Sequence, residues 1–296
     1  MTLEAIRTIG VLGAGTMGNG IAHVFARSGY NVILSDVDTR FLERAIETIA
    51  KNLDREIKKG KLDEAGKTKA LGHIYATTEL SEIARADFVV EAVPERLELK
   101  QSVLREADKL LRPEVILASN TSSISITTLA AATSRPDRFI GMHFMNPVPV
   151  MALVEVIRAL QTSDATFQTT MALCERLGKK PVAVNDAPGF VSNRVLMPLI
   201  NEAAFAVMEG VATAEAVDAV MKLGMNHPMG PLELADFIGL DVCVDILDVL
   251  YTGFGDPKYR ACPLLRKMVA AGWLGRKSGY GFYAYQEDNL QKREKG

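Results

Sequence analysis

Short apolar runs alternate with amphipathic helical stretches over the first two-thirds of the chain. The pattern predicts strands over six ranges: 8–12, 31–35, 88–93, 115–118, 139–143 and 153–157. Apolar positions at helical spacing predict a helix over 17–28, closed by Gly29, and a longer helix that includes Leu42 and Ile57. Strands that alternate with helices are typical of a parallel sheet covered on both faces. The first part of the chain is therefore predicted to form a doubly wound α/β domain.

The pattern changes near residue 186, where the sequence Asp-Ala-Pro-Gly begins at Asp186 and breaks regular structure. Beyond it the apolar positions follow helical periodicity, and no convincing strand precedes the tail. We therefore predict an N-terminal domain over 1–186 and a smaller all-α domain over 187–296. The polar tail 286–296 is predicted to be frayed.

Composition and charge narrow the class of protein. The length of 296 residues suits two domains, because single cores seldom grow far beyond about 200 residues. Hydrophobic residues make up 48 % and charged residues 24 %, as in a globular protein without a membrane-spanning segment. The net charge of −2 gives no reason to expect nucleic-acid binding.

The three cysteines, Cys174, Cys243 and Cys262, stand far apart in the sequence and form no CxxC pair. This spacing indicates free thiols in a reducing compartment, with neither a disulfide framework nor a metal site. No targeting segment is visible, so we expect a cytoplasmic protein. A mitochondrial enzyme whose leader had been removed would show the same features.

A glycine motif follows the first predicted strand and opens the first predicted helix. Gly13, Gly15 and Gly18 form a GxGxxG pattern, with Thr16 and Met17 at its variable positions. In such a motif the first glycine permits a tight turn, the second lets the backbone approach a pyrophosphate, and the third lets helix and strand pack closely. The helix N-terminus then offers N–H groups and the positive end of a dipole to the phosphates. The motif predicts a dinucleotide site in a Rossmann-type domain.

An acidic residue specifies which dinucleotide this site prefers. Asp36 closes the second predicted strand, about 20 residues after the glycine motif. A carboxylate there can accept hydrogen bonds from both ribose hydroxyls and would repel a 2′-phosphate. We therefore expect NAD, and not NADP, as the cofactor.

Polar residues that could take part in catalysis lie near the ends of later strands. His143 falls at the C-terminal end of a predicted strand, the position at which open α/β sheets bind ligands. Glu155 lies in the next predicted strand, Ser122 lies in a polar loop after another strand, and Asn193 begins the second predicted domain. Position alone leaves open whether His143 is catalytic or structural.

Three longer motifs resemble those of the 3-hydroxyacyl-CoA dehydrogenase family. They are Ser-Asn-Thr-Ser-Ser from Ser119, Gly-Met-His-Phe-Met-Asn-Pro-Val-Pro from Gly141, and Pro-Gly-Phe-Val-Ser-Asn-Arg from Pro188. The resemblance continues through Pro228–Pro231 and Gly239–Asp241 to the segment 275–283, and it covers nearly the whole chain. It implies an NAD-dependent enzyme with a Rossmann-type domain and a helical C-terminal domain.

The resemblance also implies roles for individual residues. It makes His143 the general acid/base and Glu155 its orienting partner, while Ser122 and Asn193 would hydrogen-bond the reacting 3-oxygen or the thioester carbonyl. These roles suit the oxidation of a secondary alcohol, which needs a base for the hydroxyl proton and donors that fix the oxygen. Residues at positions that contact NAD in the family are Glu95, Lys100, Asn120 and Lys277.

A cluster of lysines lies at the end of the long predicted helix, at Lys58, Lys59 and Lys61, with Lys51 one to two turns earlier. Lys59 matches a family position that binds the phosphates of coenzyme A. Such a cluster is equally compatible with an ordinary solvated basic face, so both interpretations stay open.

The resemblance implies oxidation of an L-3-hydroxyacyl-CoA to the 3-oxoacyl-CoA, and the reverse reduction, with short acyl chains such as 3-hydroxybutyryl preferred. Fatty-acid breakdown, butyrate synthesis and phenylacetate catabolism all use this chemistry. It also implies a homodimer formed through the C-terminal domain. The apolar residues after Pro198 run around the whole helix, which favours burial on several sides.

Three alternatives remain at this point. An L-gulonate 3-dehydrogenase shares the fold, although the uninterrupted Asn-Thr-Ser-Ser from Asn120 favours the acyl-CoA enzyme. A β-hydroxyacid dehydrogenase shares the opening glycine motif, but it uses a catalytic lysine in a glycine-rich helix that this sequence lacks. A non-catalytic NAD-binding redox sensor would predict erosion at the catalytic positions, yet all four candidates are present.

Overall fold

A sheet of eight strands forms the centre of the first of the two units into which the chain divides, Met1–Ala187. The computed structural model describes residues 2–285, and the predicted polar tail lies outside that range. The strands are β1 (Thr8–Leu12), β2 (Asn31–Ser35), β3 (Ile74–Thr77), β4 (Phe88–Glu91), β5 (Ile116–Ser119), β6 (Phe139–Phe144), β7 (Leu153–Arg158) and β8 (Lys180–Asn185). Their order is β3-β2-β1-β4-β5-β6-β7-β8, which contains the strand order of a dinucleotide-binding fold. The predicted doubly wound fold is confirmed.

The sheet differs from the prediction in the direction of one strand and in two added strands. β1 to β6 are mutually parallel, but β7 runs antiparallel to β6, so the sheet is mixed. β3 and β8, which lie at the two edges of the sheet, were not predicted from the sequence. The apolar run of β8 is only three residues long, Val182 to Val184, and most residues of the strand are exposed.

Helices cover both faces of this sheet. They are α1 (Thr16–Arg27), α2 (Thr39–Lys58), α3 (Glu64–Gly72), α4 (Leu97–Leu110), α5 (Ile126–Ala130) and α6 (Asp164–Arg176). One apolar core joins alternate strand residues such as Ile9 and Val11 to helices α1, α2 and α6. On the opposite face, a Cβ added at Gly141 would meet the side chain of Ile126 in α5. The sheet is therefore buried on both sides, as its apolar strands require.

The second unit, Pro188–Gly296, is helical over its described residues. Its helices are α7 (Ser192–Met208), α8 (Ala214–Gly224), α9 (Pro231–Ile238), α10 (Leu240–Phe254) and α11 (Pro263–Ala270). Its core includes Ile200, Leu232, Leu247 and Leu265. The domain break predicted after residue 186 lies one residue from the division between the two units.

Two buried carboxylates hold the segment that follows α11. Asp236 in α9 accepts hydrogen bonds from the backbone N–H groups of Phe282 and Tyr283. Asp218 in α8 accepts one from the Tyr283 hydroxyl at 2.7 Å. These contacts fix the turn that carries Lys277 within the second unit. No helix within residues 2–285 is long and apolar enough to cross a membrane.

Candidate active site

The glycine motif forms a cradle whose shape fits a dinucleotide. Gly13 has a φ of +98°, which favours glycine, and Gly18 packs so closely that a Cβ there would lie 1.8 Å from the Gly13 carbonyl oxygen. A Cβ at Gly15 would meet nothing within 4 Å among the described residues. Two glycines thus serve close packing and the third borders open space, as a pyrophosphate site requires.

The first turn of α1 faces the same space. The helix begins at Thr16, and its N-cap is Gly15, which has no side chain to bond the first N–H groups. The Met17 side chain packs against the core, so this residue would meet a phosphate through its backbone. The turn can therefore offer backbone donors to an anion.

Asp36 follows β2 directly and leans towards the glycine motif. Its Oδ2 accepts a hydrogen bond from the Ala14 N–H at 2.7 Å. The nearby Arg40 is engaged elsewhere, because its guanidinium forms an ion pair with Asp38 at 2.5 Å. Hydrogen bonding from Arg40 lowers the pKa of Asp38 to about 2. The Asp36 carboxylate therefore lies beside the glycine motif, and the neighbouring Arg40 already has a partner.

Cofactor choice follows from this geometry as a first testable prediction. We expect kcat/KM with NADH to exceed that with NADPH at least tenfold, or by about 1.4 kcal/mol, because Asp36 would repel a 2′-phosphate. Steady-state rates with both cofactors measure the ratio. Asp36→Ser should lower this ratio, because the variant would bind NADH more weakly. Equal kcat/KM values for the two cofactors in the unmodified enzyme would contradict the assignment.

His143 and Glu155 form a buried hydrogen-bonded pair. The antiparallel pairing of β6 and β7 places the two residues directly opposite each other. The His143 Nδ1 lies 2.8 Å from the Glu155 Oε2, and only 8 % of His143 and 2 % of Glu155 are exposed. A carboxylate that accepts a hydrogen bond from Nδ1 fixes the imidazole tautomer, so that Nε2 is the nitrogen able to take up a proton. The pair has the arrangement of a general acid/base with its orienting partner.

The Ser122 loop leaves the sheet beside this pair. Ser119 at the end of β5 pairs with Gly141 of β6, two residues before His143. Asn120 joins the two strand ends, because its Oδ1 accepts a hydrogen bond from the Phe144 N–H at 2.9 Å. Ser122 therefore stands at the same edge of the sheet as His143 and the glycine motif.

Glu95 holds this loop through a single carboxylate oxygen. The Oε1 atom accepts hydrogen bonds from the backbone N–H groups of Ser122 and Ser123, at 2.8 and 3.1 Å. The hydroxyls of Thr121, Ser122 and Ser123 also donate to it. Burial alone would raise the pKa of Glu95, but Lys100 and these hydrogen bonds lower it below its usual value.

Lys100, expected as an NAD contact, is buried behind Glu95 and not at the surface of the site. Only 1 % of it is exposed, and its Nζ lies 2.8 Å from the Oε1 of Glu91 and 3.2 Å from the Oε2 of Glu95. Glu91 is a residue that the sequence analysis missed. It is completely buried at the end of β4 and accepts a hydrogen bond from the Ser119 hydroxyl. Burial raises the pKa of Glu91 more than Lys100 and Ser119 lower it.

Asp186 is a second residue that the sequence analysis did not place in the site. Its carboxylate accepts hydrogen bonds from the Ser125 hydroxyl and from the backbone N–H groups of Ile126 and Thr127. It thereby caps the helix that follows the Ser122 loop. In the sequence, Asp186 begins the segment Asp-Ala-Pro-Gly, which indicated only a domain boundary.

The remaining candidates lie elsewhere in the chain. Asn193 stands in the first turn of α7, and Lys277 forms an ion pair with Asp241 at 2.6 Å within the second unit. Lys59 caps the C-terminus of α2 next to Lys58, and both are exposed. Neither Lys58 nor Lys59 forms an ion pair with a carboxylate of residues 2–285, so the charges of these two lysines are available to an anion.

His23 shows how a structural histidine differs from His143. It is buried in α1, with its Nε2 3.3 Å from the Glu56 Oε1. Burial, followed by the charges of Arg27 and Lys179, lowers its pKa to about 4. His23 is therefore neutral at physiological pH and packs within the core of the first unit, away from the strand ends that carry the site.

Known proteins match both units. Residues 8–187 match the NAD-binding domain of 3-hydroxyacyl-CoA dehydrogenase, and residues 189–285 match its C-terminal domain. A probable 3-hydroxybutyryl-CoA dehydrogenase of Deinococcus radiodurans is 58 % identical over 276 residues, which cover 93 % of this chain and 99 % of the relative. A 3-hydroxybutyryl-CoA dehydrogenase of Bradyrhizobium diazoefficiens is 54 % identical and covers 95 % of this chain and 96 % of its own length.

A solved structure gives the same result. The (S)-3-hydroxybutyryl-CoA dehydrogenase of Ralstonia eutropha superposes with a TM-score of 0.93 at 55 % identity, covering 95 % of this chain and 99 % of its own. The match extends through both units, and the relatives have the same length as the matched region. The chain therefore belongs to the 3-hydroxyacyl-CoA dehydrogenase family and is an NAD-dependent oxidoreductase.

Proposed function

We propose that this enzyme oxidises L-3-hydroxyacyl-CoA to 3-oxoacyl-CoA, catalyses the reverse reduction, and prefers the four-carbon substrate 3-hydroxybutyryl-CoA. The observation that carries the proposal is the buried His143–Glu155 pair at the same sheet edge as the glycine motif. A site that combines a dinucleotide cradle with an oriented imidazole suits alcohol oxidation. Similarity to 3-hydroxybutyryl-CoA dehydrogenases supports the choice of substrate.

Four side chains have separate roles in the proposed reaction. Bound NAD supplies the hydride acceptor. The His143 Nε2 takes the proton of the 3-hydroxyl, and Glu155 stabilises the imidazolium that results. Ser122 and Asn193 donate hydrogen bonds to the 3-oxygen or to the thioester carbonyl, where negative charge develops. In the reduction, His143 returns its proton to the same oxygen.

The cofactor contacts belong to the same proposal. Backbone groups of Gly13, Gly15 and the first turn of α1 bind the pyrophosphate, and Asp36 binds the ribose. Further contacts come from residues at the later strand ends and from the second unit: Glu95, Asn120 and Lys277. Gly18 contributes through close packing, because a Cβ at this position would collide with the Gly13 carbonyl oxygen.

A series of 3-oxoacyl-CoA substrates from four to sixteen carbons tests the chain-length preference. We expect kcat/KM to be highest for the four-carbon substrate and to fall about tenfold, or 1.4 kcal/mol, by the longest. NADH oxidation at fixed enzyme concentration gives each value. Values that rise with chain length would replace the short-chain assignment by a long-chain one.

Coenzyme A binding gives a second testable prediction. If Lys58, Lys59 and Lys61 hold its phosphates, replacing all three by alanine should raise KM for acetoacetyl-CoA several-fold and weaken its salt dependence. The rate with the truncated N-acetylcysteamine thioester should hardly change, because this substrate has no phosphates. Steady-state kinetics at low and high salt measure both effects.

A matched variant separates this role from a general loss of positive charge. Replacing three exposed lysines elsewhere, Lys109, Lys180 and Lys258, changes the net charge equally. This variant should keep the KM of the unmodified enzyme. If the first triple variant damages both thioesters equally, the lysines form an ordinary solvated face.

We further propose that the protein is a homodimer formed through the second unit. Several apolar side chains of that unit remain exposed in the single chain, among them Val195 at 67 % and Leu223 at 88 %. The half of α7 that contacts its own core includes Met197, Ile200 and Ala204. A second copy would cover the remaining apolar surface, and two-fold pairing is the commonest way to do so.

The oligomeric state is the third testable prediction. Light scattering on a sizing column should give a mass near 64 kDa, about twice the 32.2 kDa of one chain. Leu223→Glu should shift the protein towards the monomer by placing a charge in the apolar interface. A stable, active species near 32 kDa at micromolar concentration would refute the dimer.

The three cysteines bear on the compartment in which the enzyme works. Cys174, Cys243 and Cys262 are all buried free thiols. Burial raises the pKa of Cys174 and Cys243 to about 12, which keeps both thiols protonated and unreactive. We propose the cytoplasm as the compartment, in keeping with thiols that are kept reduced.

A further inference from the structure

Two buried charged residues, Glu91 and Lys100, and the more exposed Glu95 form a continuous chain that ends at the Ser122 loop. Glu91 ends β4, Lys100 lies in the first turns of α4, and Glu95 stands in the connection between these elements. The Lys100 Nζ bridges the two carboxylates, at 2.8 Å from Glu91 and 3.2 Å from Glu95. The chain ends at the backbone of Ser122, which donates to Glu95 at 2.8 Å.

Lys100 directs its ammonium group at three oxygen atoms of the interior. Its Nζ donates hydrogen bonds to the Glu91 Oε1 and to the Val93 carbonyl oxygen, the latter at 3.0 Å. The same Nζ forms an ion pair with the Glu95 Oε2. Because only 1 % of the residue is exposed, the ammonium faces these groups and not solvent.

Glu95 holds Ser122 mainly through the backbone. The backbone N–H of Ser122 lies 2.8 Å from Glu95, whereas its Oγ lies 3.3 Å from the same oxygen. The longer contact is the weaker one, so the backbone contact does most to keep the residue in place.

Resting on the role proposed above for Ser122, we propose that Glu91, Lys100 and Glu95 position the Ser122 loop, and that Lys100 acts on this loop through Glu95. Glu91 anchors the ammonium to the sheet, because its other oxygen is bound by Ser119 of β5. Lys100 then holds Glu95 at the point where one oxygen can receive the donors of the loop. Misplacing such a loop by about 1 Å can reduce turnover a hundredfold.

Lys100→Met tests the proposal, since methionine keeps an unbranched side chain and removes the ammonium. We expect kcat for acetoacetyl-CoA reduction to fall about 10- to 100-fold, because the Ser122 donor is misplaced. The dissociation constant of NADH in the binary complex should rise by a smaller factor than kcat falls, because the cofactor contact that is disturbed is that of Glu95. Lys109→Met, on the exposed side of the same helix, should change neither quantity.

A double-mutant cycle shows through which residue Lys100 acts. If its effect passes through Ser122, Lys100→Met in a Ser122→Ala background should lower kcat by less than about threefold further. Hydrogen exchange of the free enzyme gives a readout that needs no substrate. The amides of Ser122 and Ser123 should exchange at least about tenfold faster in Lys100→Met, because Glu95 is no longer held.

A second variant guards against loss of folding. Removing one partner of a buried ion pair strongly destabilises a protein, so Glu91→Gln/Lys100→Met, which removes both charges, is measured in parallel. It should show the same loss of kcat and the same faster exchange.

Several outcomes would overturn the proposal. NADH binding weakened about tenfold or more, with kcat retained at saturating NADH, would make Lys100 a direct cofactor contact. Multiplicative effects in the cycle, or unchanged exchange of the loop amides, would also contradict it. If the unmodified enzyme does not turn over acetoacetyl-CoA, the proposed function fails, but the NADH and exchange measurements still decide the role of Lys100.

Discussion

Replacing His143 by glutamine is expected to lower kcat by roughly two to four orders of magnitude, the range for loss of a general acid/base. Glutamine can still hydrogen-bond, but it cannot accept and return the hydroxyl proton. The dissociation constant of NADH should barely move, because His143 lies outside the glycine motif and Asp36. Steady-state kinetics and NADH fluorescence titration measure the two quantities.

Two further variants sharpen this prediction. Glu155→Gln should lower kcat less than His143→Gln does. It removes the negative charge next to the His143 Nδ1, but the imidazole that transfers the proton stays in place. His73→Gln is a matched control, because His73 precedes β3 at the opposite edge of the sheet. It should stay within about threefold of the unmodified enzyme. A His143→Gln enzyme within threefold of the unmodified enzyme would overturn the assignment of the base.

Ser122→Ala and Asn193→Ala are each expected to lower kcat by about tenfold to a thousandfold. Each removes one donor from the oxygen on which charge develops during the reaction, where donors contribute most. KM should change less than kcat, because the donors act more strongly on the transition state than on the bound substrate. The kcat and KM for acetoacetyl-CoA measure this division.

Matched substitutions control for general effects on stability. Ser134→Ala and Asn31→Ala change the same residue types in the first unit at positions outside the site. Both should leave kcat within about threefold of the unmodified value. If the two site variants alter KM alone, Ser122 and Asn193 bind the ground state uniformly and do not act on the reacting oxygen.

Much of the fold follows from local signals in the sequence. The buried strands β1, β2, β4 and β5 appear as short apolar runs, because both faces of a parallel sheet are covered. The glycine motif is equally readable, since each glycine answers a requirement of one turn and the first helix. Errors at strand ends amount to one or two residues, as with β4, which ends at Glu91 and not at residue 93.

Features that depend on distant partners could not be predicted in this way. β8 is a largely exposed edge strand, and its apolar run of three residues is too short to predict a strand. The reversal of β7 gives no signal in its own sequence, yet it sets Glu155 opposite His143. Antiparallel pairing thus supplies the geometry of the acid/base pair, although the two residues could be proposed without it.

Glu91 and Lys100 show the same limit for site residues. Glu91 is one carboxylate at the end of an apolar run, and its partner lies on the following helix. The motif match indicated Lys100 as a cofactor contact, and its burial between Glu91 and Glu95 adds the positioning role proposed above. The ion pair between Glu91 and Lys100 in the interior becomes visible only in the folded structure.

The proposed reaction is tested most directly by the rate of NADH oxidation with acetoacetyl-CoA, compared with the ketoacid derived from L-gulonate and with methylmalonate semialdehyde. The three substrates correspond to the three dehydrogenase activities that the sequence left as alternatives. We expect kcat/KM for acetoacetyl-CoA to be higher than for either rival by about a hundredfold or more, a difference of ~2.7 kcal/mol. Comparable or faster turnover of either rival, with little turnover of acetoacetyl-CoA, would contradict the account.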